Sequence, residues 1–163
     1  MSNLTVKGIR ARLVNIRNRF GADYVPENPE SDNTCTYAVV VDGVLTPVCL
    51  IGQMFADMGL LGLLVRDLTD AQDTGHISQE GACDTGGAVW QALAKVGIET
   101  DPEAQKYARS AQYGQDNGLT WGQSIAYADG VYLARQRREA ASLAGIETWS
   151  DDWLDPSVSD FRS

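Results

Sequence analysis

Asp42-Gly43 stands between two runs rich in β-branched residues, TCTYAVVV and VLTPV. That dipeptide suits a two-residue turn with positive φ at both central positions, so the runs are predicted to fold back on each other as a hairpin. Pro47 has no N–H to give to a ladder, which predicts that the second strand ends there or lies at an edge. Around the hairpin, apolar residues recur at helical spacing. The expected fold is α+β and mostly α, with about five to six helices around one two-stranded β-hairpin.

The first helix is the clearest of these. Val6, Ile9, Leu13, Ile16 and Phe20 form its apolar stripe, and the basic residues fall on the flanks and far side. Thr5 is the expected N-cap, Leu4 and Ile9 stand where a hydrophobic staple would close, and Gly21 offers a left-handed stop. ADYVPENPESDN follows as an extended loop. In CLIGQMFADMG, residues Leu50, Ile51, Met54, Phe55 and Met58 make a wide apolar face that Gly59 can close, and LLGLLVRDL reads as a short buried helix. Residues 69–87 are polar and glycine-bearing without a period, which predicts a long loop. AVWQALAKVG is helical. Asp101-Pro102 places a capping residue before a first-turn proline, opening a helix that runs to about Gln115. Thr120 and Gln123 have the spacing of a capping box, and the last helix continues through Trp121, Ile125, Ala128 and Tyr132 to about Ser142. The expected core includes Ile9, Leu13, Ile16, Phe20, Leu50, Ile51, Met54, Phe55, Trp121 and Ile125. Residues 1–145 are read as one globular domain and 146–163 as an acidic aromatic tail.

A chain of 163 residues is long enough to need no staples, since a domain of about 150 residues buries roughly 70% of its unfolded surface. Its three cysteines, Cys35, Cys49 and Cys83, show no disulfide-rich spacing and are expected to be free thiols in a reducing compartment. No leader-like or membrane-length apolar run is present in the sequence, so the expected location is cytoplasmic, without membrane association. The net charge of -9 argues against direct nucleic-acid binding, which depends on neutralising phosphates. The charge is also uneven: residues 1–22 carry Lys7, Arg10, Arg12, Arg17 and Arg19 and no acid, whereas Arg66 is the one basic residue over 23–80.

The segment CTYAVVVDGVLTPVCLIGQMFADMGL and, far downstream, AQYGQDNGLTWGQSIAYA carry a family likeness. The matching positions are Cys35, Tyr37, Gly43, Cys49, Leu50, Ile51 and Gly52, then Gln112, Gln115, Asp116, Gly118, Trp121 and Gly122. In these residues the chain resembles a group of small proteins encoded by bacteriophages of actinobacteria, which share a Cys-x-Tyr strand, a hairpin and a Cys-Leu/Ile-Val/Ile-Gly helix start. The resemblance implies a phage-encoded protein in the host cytoplasm and no particular activity. The long insertion around His76 and Cys83 departs from that pattern.

Four constellations are weighed as a site. Cys49, at a helix start, has the placement of an activated thiol, and His76 is the histidine available to pair with it; these are the catalytic candidates. A buried cysteine between a strand and an apolar helix face is the simpler reading. Cys35, Cys49, Cys83 and His76 would make a zinc set by residue type, but their spacing fits no familiar zinc element, so neither a metal nor another cofactor is expected. Gln112, Gln115, Asp116 and Trp121 cluster at the last helix junction and could line a small-ligand pocket. Turn chemistry and core filling explain the same residues without a ligand. Arg10, Arg12, Arg17 and Arg19 on the first helix, with Trp149 and Trp153 in the tail, form the candidate binding surface, since folding alone does not require four arginines there. Pairing of these arginines with the acidic loop Asp23–Asp32 is the rival explanation.

These readings lead to a phage accessory protein that binds a host or phage macromolecule, in all expectation a protein, without catalysis. A small-ligand or nucleotide-sequestering protein and a Cys49-dependent enzyme are the alternatives.

Overall fold

The computed structural model describes residues 2–26, 37–62 and 88–145. Within them run β1 (Ser2–Leu4), α1 (Val6–Phe20), β2 (Ala38–Val41), β3 (Val44–Pro47), α2 (Leu50–Asp57), α3 (Ala88–Lys95), β4 (Ile98–Thr100), α4 (Pro102–Asp116) and α5 (Trp121–Leu143). The architecture is mostly α with a minor β component, as anticipated. Most of the short helix expected over LLGLLVRDL, the loop 69–87 and the tail 146–163 lie outside the described residues.

Local signals act where the sequence puts them. Asp42 and Gly43 take φ of 52° and 77°, and β2 pairs antiparallel with β3 from Val41↔Val44 to Ala38↔Pro47, where β3 ends. Thr5 caps α1 by accepting the Gly8 N–H at 3.1 Å, and Gly21 leaves the helix at φ 104°. Thr120 and Gln123 form the reciprocal capping box at the start of α5.

A second ladder joins β1 to β4 in parallel, with Ser2, Asn3 and Leu4 opposite Ile98, Glu99 and Thr100. Three-residue strands show no alternation long enough to read, and a parallel pair needs a long crossover. Here α1, the hairpin, α2 and α3 all lie between the two strands in the chain. The ladder also changes the start of α4. Asp101 takes the N-cap position, but its carboxylate makes no cap bond and instead accepts the Asn3 side-chain amide at 2.9 Å.

One continuous core gathers Ile9, Leu13 and Ile16 of α1, Leu50, Ile51, Met54 and Phe55 of α2, Leu93 of α3, Tyr107 and Ala111 of α4, and Trp121 and Ile125 of α5. Phe20 is the exception among the expected core residues, at 43% exposed. It closes the last turn of α1 and lies at the rim of the core, tilted against Tyr24 and edge-on to Trp121 with ring centroids 5.2 and 5.0 Å away. Small residues set the closest approaches. A side chain at Gly114 would stand 3.2 Å from the Ser124 backbone, which lets α4 and α5 cross tightly.

Candidate functional site

Arg10 and Arg17 are seven residues apart, as are Arg12 and Arg19, so each pair returns to the same side of α1 after about two turns. The two pairs flank the buried stripe on opposite sides. On one side Arg10 meets α5, its Nε and Nη2 donating to Oδ1 and Oδ2 of Asp129 at 2.9 and 3.0 Å in a two-pronged pair. On the other, Arg19 donates to Asp57 of α2 at 2.6 Å. Arg17 donates to its neighbour Asn18, and Arg12 is exposed with no ion pair among the described residues. The acids that meet this helix thus sit on α5 and α2, and not on the described part of the loop after it.

Beneath the Arg10 pair, the Tyr107 hydroxyl donates to Oδ1 of Asp129 at 2.6 Å. Tyr107 is 1% exposed, and burial, followed by the hydrogen bond and charge of Asp129, holds its phenol far above the usual tyrosine range. Asp129 in turn pushes the Arg10 guanidinium up, chiefly through their hydrogen bonds. Asp129 is therefore fixed from two directions, by a buried phenol and by an exposed arginine. Above this floor opens a groove of about 380 Å³ between α1, α4 and α5, lined by Val6, Lys7, Arg10, Tyr107, Asp129, Tyr132 and Leu133. Leu133 is 52% exposed at its edge. Lys7 is exposed and makes no ion pair among the described residues.

No family model, curated protein or solved structure matches the chain. What the groove can do is read from its chemistry. Arg10 retains N–H groups beyond those that hold Asp129, Lys7 adds three more, and Val6, Tyr132 and Leu133 supply apolar wall. Such a surface can hold an anionic group beside an apolar one.

The other candidates serve the fold where they are described. Cys49 is the N-cap of α2, 3% exposed, and its Sγ accepts the Gly52 N–H at 3.1 Å. Its position at a helix start thus has a capping explanation. His76, Cys35, Cys83, Trp149 and Trp153 lie outside the described residues. Among the described residues, no three His, Cys, Asp or Glu side chains gather as a metal would require.

Gln112, Gln115, Asp116 and Trp121 do come together at the junction of α4 and α5. Gln115 Oε1 accepts both the Leu50 backbone N–H, at 2.7 Å, and the Trp121 indole N–H, at 2.9 Å, tying α2, α4 and α5 at one atom. Gln112 is buried, and its Nε2 finds no partner among the described residues. Asp116 is exposed at the surface of the junction, where partial desolvation of its carboxyl pushes the pKa up to about 6, against a smaller opposing hydrogen bond from Gln115. Trp121 is buried and meets the Tyr24 ring at a tilt, with centroids 4.4 Å apart. These residues lie at a structural joint.

Of the groove, sequence reasoning found Arg10 alone. Asp129, Tyr132 and Leu133 have the three- and four-residue spacings that mark one side of a helix, and Val6 and Arg10 share a side of α1. That spacing was the available signal. It names a face without naming the helix opposite.

Proposed function

We propose that this chain acts by binding a macromolecular partner, with the groove between α1, α4 and α5 as its recognition site. The supporting observation is an open, partly apolar groove that carries Lys7, which has no ion pair among the described residues, and a fixed Arg10 above the Tyr107–Asp129 floor. A site for a small molecule buries about 70–90% of its ligand, which an open groove with a half-exposed leucine at its edge does not do. A protruding segment of a larger partner covers such a surface from above. The phage resemblance makes that partner a host or phage protein met in the host cytoplasm. No described helix is long and apolar enough to cross a membrane.

Affinity capture from an actinobacterial lysate tests this reading, with the wild type beside Leu133→Asp and Lys7→Glu. Both positions are exposed, so their melting temperatures should stay within a few degrees of wild type. The expected result is a discrete protein retained by the wild type and lost from both variants. Equal capture by all three would remove the groove from the function.

A further inference from the structure

We infer that the groove reads a short peptide segment carrying one carboxylate next to a large apolar side chain. This deepens the partner-binding reading and rests on it. Lys7 and Arg10 set two positive charges against the single negative charge of Asp129, leaving an excess of one. Asp129 has little left to offer a ligand, since Oδ1 already accepts from Arg10 and Tyr107 and Oδ2 from Arg10. Among the described residues, the remaining N–H groups of Arg10 and the ammonium of Lys7 have no acceptor, and a carboxylate is the acceptor whose paired oxygens match a guanidinium edge.

Beside these donors stand Val6, Tyr132 and Leu133, of which Leu133 is 52% exposed and gains cover from an apolar side chain laid against it. Charge and apolar wall lie within one groove, so carboxylate and apolar side chain belong to neighbouring positions of the ligand. The rest of the molecule restricts the choice further. A chain of net charge -9 repels polyanions at long range, which sets nucleic acids and long acidic tracts against a segment bearing a single carboxylate.

The test is an array of 12-residue peptides in which Glu, Gln or Lys is placed beside Leu, Trp or Ala, probed with the full chain and its Lys7→Glu and Leu133→Asp variants. The wild type should hold Glu–Leu and Glu–Trp peptides about tenfold more tightly than their Gln or Ala counterparts. Lys7→Glu should lose the preference for Glu while keeping that for Leu or Trp, and Leu133→Asp should lose both. Equal binding of Glu and Gln peptides would overturn the inferred chemistry and leave the groove as a partner site. If no peptide distinguished wild type from Leu133→Asp, the peptide inference would fall, and the lysate capture would report separately on partner binding. Displacement of the best peptide by benzoate at similar affinity would give the groove to a small carboxylate. A wild-type dimer in sedimentation that Leu133→Asp makes monomeric would give it to a second copy of the chain. Either result overturns the inference.

Discussion

The side-chain carbonyl of Gln115 accepts the backbone N–H of Leu50 at 2.7 Å, across 65 positions of sequence. The same oxygen accepts the indole N–H of Trp121, so one amide satisfies a helix start and a buried ring. Gln115→Leu would keep the volume and strand both donors. A stranded buried donor costs about 1–3 kcal/mol, and Leu50 and Trp121 are both buried. The expected loss is about 2–6 kcal/mol in urea unfolding, and a loss below about 1 kcal/mol would show that the joint is held by packing alone.

Gly52 and Gly130 should respond to alanine with opposite signs. A Cβ at Gly52 would collide with the Tyr37 carbonyl oxygen, a backbone atom that cannot move aside without separating the strand entrance from α2. Gly52→Ala should therefore destabilise by about 3 kcal/mol or more. Gly130 lies exposed within α5, and a Cβ there meets nothing within 4 Å. Gly130→Ala should stabilise by about 0.5–1 kcal/mol, through the entropy a glycine loses in a helix. Thermal melts of the two variants beside wild type would check both.

Removing the members of the Arg10–Asp129–Tyr107 set should give an ordered series. Asp129→Ala leaves the buried Tyr107 hydroxyl without its acceptor and should cost about 1–3 kcal/mol. Tyr107→Phe removes the donor and leaves Asp129 to Arg10, for about 1 kcal/mol. Arg10→Ala breaks an exposed pair, for about 0–1 kcal/mol. Denaturant midpoints at equal slope would establish the order, and a larger loss for Arg10→Ala than for Asp129→Ala would reverse the assignment of the buried partner.

Asp116 should make stability depend on pH. Its folded pKa of about 6 lies above the ordinary carboxylate value, so between about pH 4 and 6 the folded chain holds a proton that the unfolded chain has released. Its contribution therefore falls as pH rises through that window, and the full cost applies above pH 6. Glu103 acts in the opposite sense, because the hydrogen bond from Lys106 leads a downward shift of its carboxyl. Asp116→Asn isolates the first effect. The variant should gain more melting temperature over wild type at pH 7.5 than at pH 4, and an equal difference at both would contradict the assignment.

Features whose cause lies within a few residues of their effect were legible in the sequence. Thr5, Asp42-Gly43, Pro47 and the Thr120–Gln123 pair each act on backbone groups close by, and the structure uses each as expected. Illegible features needed a partner far along the chain. Asp101 was free to cap α4 until Asn3 of the opposing strand offered a competing amide. Phe20 continues the apolar period of α1, but the period cannot reveal that its last position lies half-exposed at the rim of the core. Arg10 was legible as a surface arginine, whereas the groove was not, because Tyr107, Asp129 and Leu133 meet it only through the packing of α4 and α5 against α1.

The β1–β4 ladder imposes an order on synthesis. Leu4 finds its partner only when Thr100 has been made, and at about 5–20 residues per second a ribosome needs roughly 5–20 s to cover that distance. For most of that interval the nascent α1 has its Ile9, Leu13 and Ile16 stripe complete while α4 and α5, which help to cover it in the finished core, do not yet exist. The early chain therefore has α2 to cover one side of that stripe, and the rest of it stays open until the later helices arrive.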